Sequence, residues 1–466
     1  MDAKKYPIEH IVVLMLENRS YDHMLGYLDM GTPLTGKEYN LVDPADPASE
    51  KVFVSEASGY ITLPNPLHDV VSVEKQEYGD SGNIINPAPM NGFVKVQVEN
   101  AQGDVQVGKN IMQCFDPSHI PAITTLAREF VVCDHWHSSV PGPTWLNRFY
   151  AHAATSDGVS TDDATHAYNM KTIFDLLEEN GHSWNVYYGD IPQCILLHRT
   201  AEKLGHLKRF YKFYADLAHG ELAAYSFIEP RFINFHQWKA TDQHPPHDVR
   251  FGEYLIAEVY DALRASSYWE KCMLLVLYDE HGGFFDRVPP PDNVPNPDGK
   301  VATDPPFDFT RLGVRVPAIL ASPWLEKGQV DSTIYEHASI PATLRVLFGL
   351  PSALTARDKA ANTFERNLTR TSPRTDAPLT LPVPGDPDEI EHHRKLLRLN
   401  AWQQWLQGIV NHEEQSHEPL TLFQQSLVVL ADQLNNQNDQ EARAGKITIE
   451  HEAAVHIHNV IKRFLG

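Results

Sequence analysis

Five short stretches of the chain gather residues able to do chemistry. Glu17-Asn18 ends the apolar run HIVVLML, and a carboxylate beside a carboxamide offers oxygen ligands to a hard divalent cation. Asp279-Glu280-His281-Gly282-Gly283 ends the run CMLLVLY. Two adjacent carboxylates and an imidazole are costly to bury without a cation or strong donors, and the glycines let backbone approach closely. In PGPTWLNRFYAHAATSDG, Pro141-Gly142-Pro143 forces a turn and leaves Thr144 at the predicted start of a helix. Free N–H groups and the helix dipole favour an anion there. A hydroxyl so placed suits attack on a phosphate, and a divalent cation would activate it. His244 and His247 stand in TDQHPPHDVRFGEYL, stiffened by Pro245-Pro246, and His68-Asp69 lies in NPLHDVV. Each stretch also has a plainer reading. Glu17-Asn18 can open a capped turn, Thr144 can be an N-cap, Asp279-Glu280 can be a solvated acidic turn, and Asp248 can cap the next helix. Most single histidines are structural or lie at the surface.

These residues need a scaffold that delivers them to one place. HIVVLML, residues 130–133 and residues 273–278 are short, continuous apolar runs, as expected of strands buried on both faces. LGVRVPAILASPWL predicts a further strand. MKTIFDLLEENGHSWNVYYGD predicts an amphipathic helix closed by Gly181 and then a strand. GEYLIAEVYDALRASSYWEKC predicts a long helix, and HASIPATLRVLFGL another. Such alternation predicts an α/β fold with a largely parallel sheet covered on both faces. In sheets of this kind ligands bind beyond the carboxyl ends of the strands, where Glu17, Asn18, Asp279 and Glu280 fall. PPPDNVPNPDGKVATDPP (289–306) predicts an irregular excursion and SPRTDAPLTLPVPGDPD (372–388) a Pro-rich linker. The expected organisation is a catalytic domain over 1–371, that linker, and a helical C-terminal segment over 389–466 packing on the core.

A length of 466 residues suits one large domain with an appendage, or two to three domains. The formal charge of −22, from 61 acidic against 39 basic residues, argues against a nucleic-acid binder and against electrostatic docking on anionic lipid. Cys114, Cys133, Cys194 and Cys272 lack CxxC spacing and are expected to be free, buried thiols. No basic segment followed by an apolar one opens the chain, and no run of about 18 apolar residues occurs. The expectation is a soluble protein without a transmembrane segment, cytoplasmic or secreted without a classical signal peptide.

Taken together, ENRSYDHMLGYL, PGPTWLNRFYAHAATSDG, DQHPPHDVRFGEYLIAEVYDALRASSYW, YDEHGGFFDRVPPP and FDFTRLGVRVPAILASPWLEKG resemble the phosphoesterase family of phospholipases C and acid phosphatases. The resemblance is strongest to the non-specific phospholipases C of plants and their bacterial relatives. It runs from about residue 8 to 385, and EHEAAVHIHNVIKRFLG is similar to the family's closing helix. It implies an alkaline-phosphatase-like α/β/α sandwich with a largely parallel central sheet. It implies Thr144 as nucleophile and Glu17, Asn18, Thr144, Asp279 and Glu280 as ligands of one divalent metal ion. It places His244 and, by a looser correspondence, His68 at the substrate. The family's Asp-His-Pro motif reads Gln243-His244-Pro245 here, so the carboxylate ahead of the histidine is absent. Asn185, His198 and His281 are further candidates for phosphate contact. The oxygen-rich set favours Ca²⁺, with Mg²⁺, Mn²⁺ or Zn²⁺ as alternatives. The implied reaction is phospholipase C hydrolysis of a glycerophospholipid, such as phosphatidylcholine or phosphatidylethanolamine, at a membrane or micelle surface. Thr144 attacks phosphorus, diacylglycerol leaves, water cleaves the phospho-threonine, and His68 or His244 protonates the leaving alkoxide. Two other readings stay open. One is an acid phosphatase acting on monoesters, which a closed, cationic pocket would favour, whereas a wide apolar rim shaped by Trp145, Phe284 or Phe285 would favour diacyl lipid. The other is a catalytically silent lipid- or metal-binding protein.

Overall fold

A computed structural model describes residues 6–79, 84–235, 237–399, 420–435 and 447–464. Residues 400–419, 436–446 and 465–466 of the expected C-terminal segment lie outside the described residues. The strands in chain order are β1 (His10–Leu16), β2 (Tyr39–Leu41), β3 (Lys51–Phe53), β4 (Val131–Cys133), β5 (Trp184–Tyr188) and β6 (Leu207–Arg209). They continue as β7 (Tyr225–Glu229), β8 (Cys272–Tyr278), β9 (Ala302–Thr303), β10 (Pro306–Phe307), β11 (Ala318–Ala321) and β12 (Gln329–Asp331). Eight of these form one sheet in the order β12-β4-β11-β8-β1-β7-β5-β6. Every neighbouring pair is parallel except those of β11, which is antiparallel to β4 and β8. The fold is thus mixed α/β with a mostly parallel sheet.

Burial explains the composition of the central strands. Successive side chains of a strand point to opposite faces. All of CMLLVLY in β8 and nearly all of HIVVLML in β1 are buried, so both faces of the sheet are covered. The helices Pro121–Glu129, Ile173–Glu179 and Val249–Ala265 contribute to the same hydrophobic core. β1 and β8 pair in parallel from His10 opposite Cys272 to Leu16 opposite Tyr278. This register brings Glu17-Asn18 and Asp279-Glu280 side by side at one carboxyl edge.

The central strand β7 was not among the strands expected from the sequence. Its YSFIE is short, holds a serine and a glutamate, and lacks a continuous β-branched run, yet it pairs with both β1 and β5. The excursion at 289–306 joins the two-residue ribbon of β9 and β10. Residues 372–386 have no helix or strand and lie along the helix Val249–Ala265. Tyr254 Oη donates to Pro384 O at 2.9 Å, Tyr260 Oη to Pro378 O at 2.7 Å, and Leu381 N to Asp261 Oδ1 at 2.9 Å. The four cysteines are buried and free. Among the described residues no helix is long and apolar enough to cross a membrane.

Candidate active site

The turn that carries Thr144 is braced from within. Asn147 Oδ1 accepts from Val140 N at 3.0 Å, while its Nδ2 donates to the carbonyls of Val140, Gly142 and Pro143. A Cβ on Gly142 would lie 2.8 Å from Val70 Cγ2, so only glycine fits there. Thr144 opens the helix Thr144–Ala153 as its first residue, with Pro143 at the N-cap and no side-chain capping bond. The plain N-cap reading of Thr144 therefore fails. The free N–H of Trp145 is met instead by Asp162 Oδ1 at 2.9 Å. Thr144 is fully buried, and its hydroxyl donates to Asn18 Oδ1 at 3.4 Å.

Glu17, Asn18, Asp279 and Glu280 are all buried around this hydroxyl. Asn18 adopts a left-handed φ of 58° at the end of β1, and its side chain lies between Thr144 Oγ1 and His68 Nε2. Its N–H donates to Asp279 Oδ1 at 3.1 Å. Gly282, at φ +63°, lies against Asn18 O so closely that a Cβ would sit 2.1 Å from it. Arg148 lies one helical turn after Thr144 and reaches under the cluster. It donates from Nε to Asp279 Oδ2 at 3.2 Å and from Nη2 to Met15 O at 3.1 Å, and Nη2 ion-pairs with Glu17 Oε1 at 3.2 Å. Gln193 Nε2 donates to the same Glu17 oxygen at 3.0 Å.

Within the four residues Glu17, Asn18, Asp279 and Glu280, the carboxylate oxygens Glu17 Oε2 and Glu280 Oε1 are buried without a hydrogen-bond partner. Burial pushes the Glu17 carboxyl well up despite Arg148, raises Asp279 to about 6 and raises Glu280 to about 8. Burial also raises Asp162 to about 7, with Asp279 and Glu280 adding to it against the Trp145 N–H. A site in which several carboxyls resist ionising beside orphaned oxygens fits a hard divalent cation. The donor set is mixed: among the described residues no three His, Cys, Asp or Glu side chains form a preformed metal cage. Asp279 already serves Arg148 and two backbone N–H groups, those of Asn18 and Glu280.

His68 and His244 border the cluster with ring centroids 5.8 Å apart. Each places Nδ1 on a backbone carbonyl, of Pro66 at 2.8 Å and of Pro245 at 2.5 Å. A carbonyl only accepts, so Nδ1 carries the proton in each ring and Nε2 presents a lone pair. His68 Nε2 accepts from Asn18 Nδ2 at 3.1 Å and lies 4.0 Å from Glu280 Oε1. His244 Nε2 is buried without a partner. Burial, then His68 and His247, hold the His244 imidazole well below its ordinary range. The carbonyl preceding His244 is fixed by Arg19, whose Nε and Nη2 donate to Gln243 O at 2.8 and 2.7 Å.

The other candidates divide. His281 Nε2 donates to Gln76 Oε1 at 2.8 Å and its Nδ1 lies 3.3 Å from Glu280 Oε2, which places it behind the carboxylate. Asn185 sits near the start of β5, the opposite end from the cluster. His198 is exposed at the start of a short helix. Trp145, Phe284 and Phe285 are buried core residues and form no exposed rim. His247 binds Asp242 Oδ1 at 2.7 Å and Glu450 Oε1 at 3.1 Å, tying the C-terminal helix Glu450–Phe464 to the loop that carries His244. Phe423, on the helix Leu422–Asn435, stacks on His244 at 5.9 Å and meets Trp145 edge-on at 6.3 Å. Sequence reasoning missed Arg148, Gln193, Asp242 and Asp162. Only Arg148 had a signal, its i+4 spacing from Thr144.

Fold and site define a class: a hydrolytic enzyme whose polar centre lies at the carboxyl edge of a mostly parallel α/β sheet. The Phosphoesterase family matches residues 8–351. Non-specific phospholipase C1 of Arabidopsis thaliana is 44% identical over 399 residues, which cover 81% of this chain and 74% of the relative. Non-specific phospholipase C4 of the same plant is 36% identical over 492 residues, covering 99% and 86%. A solved alkaline phosphatase superfamily protein from Vibrio parahaemolyticus is 15% identical with a TM-score of 0.32, covering 53% of this chain and 65% of that one. The chain belongs to the Phosphoesterase family.

Proposed function

We propose that this enzyme is a phospholipase C that hydrolyses glycerophospholipids to diacylglycerol and a phosphorylated headgroup, with Thr144 as nucleophile. The observation that carries the reading is the Thr144 hydroxyl. It is buried at a helix N-terminus, takes no part in capping, and is held by Asn18 among carboxylates with two unclaimed oxygens. Relatives named non-specific phospholipase C, 36–44% identical, support the substrate class.

Glu17, Asn18, Thr144, Asp279 and Glu280 would hold one divalent ion, Ca²⁺ first among the hard cations, which when bound supplies Lewis acidity to the hydroxyl and the phosphate oxygens. Thr144 Oγ1 forms a bond to phosphorus in line with the glycerol oxygen, and that P–O bond breaks. The helix N-terminus meets the charge that develops on the non-bridging oxygens. His68 Nε2, next to Asn18, takes the proton that Thr144 Oγ1 loses and passes it to the departing diacylglycerol alkoxide. That ring is the reachable one, with a side chain 13% exposed, whereas His244 is sealed in and kept neutral by burial. His244 offers its bare Nε2 as an acceptor within the site. Water then attacks the phospho-threonine, restoring Thr144 and releasing the headgroup phosphate.

Product analysis from vesicles of mixed phospholipids tests the reading. Diacylglycerol with phosphocholine or phosphoethanolamine is expected. Phosphatidic acid with free base would overturn the bond assignment. Turnover confined to phosphomonoesters would overturn the substrate class in favour of an acid phosphatase.

A further inference from the structure

The N–H one residue after the Thr144 hydroxyl is already taken. Trp145 N donates to Asp162 Oδ1 at 2.9 Å, across 17 residues of chain. Pro143 at the N-cap supplies no capping bond, so Asp162 takes the donor that a capping side chain would otherwise meet. A helix start favours an anion, and here one anion is part of the protein. Asp162 also faces the carboxylate cluster. Asp279 and Glu280 repel its charge, and Arg148 attracts it.

The loop that carries Asp162 joins the helix Thr144–Ala153 to the helix Ile173–Glu179, and it is tied down. Thr155 Oγ1 donates to Asp298 Oδ2 at 2.8 Å and Ser160 Oγ to Pro305 O at 2.8 Å, which fastens the loop to the excursion at 289–306. His166 Nε2 donates to Asp157 Oδ2 at 2.9 Å and closes the loop on itself. A carboxylate on so tethered a loop is a fixed part of the surroundings of any phosphorus that Thr144 attacks.

We infer that Asp162 is a specificity-determining residue, whose carboxylate favours a phosphodiester over a phosphomonoester at Thr144. This role rests on Thr144 as nucleophile and adds what selects its substrate. A diester brings one negative charge to the site, whereas a monoester brings close to two above its second pKa of about 6. Both esters meet the same helix start, but the extra charge of the monoester falls beside Asp162. Repulsion between unit charges a few ångströms apart in a protein exceeds about a tenfold factor in binding. An unfavourable contact reserved for the wrong partner is a general route to discrimination. The plainer role of Asp162 is to brace the helix start. Asparagine can do that too, because its side-chain oxygen also accepts from an N–H, so Asp162→Asn removes the charge and keeps the brace.

The test compares p-nitrophenyl phosphate with methyl p-nitrophenyl phosphate, which share a leaving group and differ in charge at phosphorus. It is run on the full-length protein at about pH 8.5, where the monoester is a dianion and the Asp162 carboxyl, raised by burial to about 7, is ionised. The monoester-to-diester ratio of kcat/KM is expected to rise about tenfold or more in Asp162→Asn, and in the same sense in Asp162→Ala. Inhibition by phenylphosphonate against its methyl ester reads the same ratio as binding alone, and should shift toward the dianion in both variants. Thermal melts confirm that the variants fold, and Asp162→Ala stands in should Asp162→Asn fail. A ratio unchanged in both variants would overturn the role, and so would equal losses on both esters, which a brace alone would give. Thr144→Ala, assayed alongside, separates the two claims. Turnover that survives in Thr144→Ala overturns the nucleophile, while an unchanged ratio beside an inactive Thr144→Ala overturns Asp162 alone.

Discussion

Arg148 sets the electrostatics at the scale of single residues. It is the fixed cation between two buried carboxylates, Glu17 and Asp279, and it also ties down the end of β1 through Met15 O. Removing one partner from a buried ion-pair network leaves uncompensated charge, which typically costs about 3–5 kcal/mol. Arg148→Met is therefore expected to lower the unfolding free energy read from urea titration by that order, and an unchanged value would show that the network is not coupled to the fold. Gly282→Ala is expected to destabilise by at least ~2 kcal/mol, because its positive φ and the Asn18 carbonyl both exclude a Cβ. A melt equal to wild type would contradict this. The reactive pairs were legible because they end runs of apolar residues that cannot themselves be functional. Arg148 was less so: an arginine in an amphipathic helix looks like a solvated residue until the sheet edge beneath it is known. Arg19, Ser20 and Asp22 support the turn after β1 through hydrogen bonds to Gln243 O, Phe285 O and Arg315. His23 Nε2 accepts from Arg19 Nη1 at 3.2 Å.

At the scale of elements, the register of β1 against β8 places the site, and two apolar runs of seven residues were enough to read both strands. β7 escaped because its neighbours cover it, so its sequence needs no strong pattern of its own. The contribution of the C-terminal helices was illegible for a different reason. Phe423, Gln424 and Glu450 look like ordinary helix residues, and only long-range packing brings them to His244 and His247. Burial alone would depress the His247 imidazole, but Asp242 and Glu450 outweigh it and hold it up at about 10. A histidine raised above its unfolded value of about 6.5 stabilises fully below that pH and loses its contribution as pH rises through the folded value. The attachment of Glu450–Phe464 should therefore weaken progressively from about pH 6.5 to 10. Hydrogen exchange in that helix, corrected for intrinsic rates, should accelerate over this window in wild type and change little with pH in His247→Gln. Exchange that is flat with pH in wild type would contradict the clamp.

The whole molecule carries a formal charge of −22. Such a surface is repelled by anionic lipid within about a Debye length, ~10 Å at 0.1 M salt. Turnover on phosphatidylcholine vesicles should fall when anionic phospholipid is mixed in at low salt, and recover as salt is raised. Salt-independent turnover on the mixed vesicles would mean that a local surface overrides the net charge. The central claim remains that Thr144 is the nucleophile, and it is tested most directly by pairing phosphatidylcholine turnover with divalent-metal content in Thr144→Ala. The account predicts that turnover is abolished while the protein keeps its thermal transition and most of its metal. Near-normal turnover in a metal-loaded Thr144→Ala protein would contradict it.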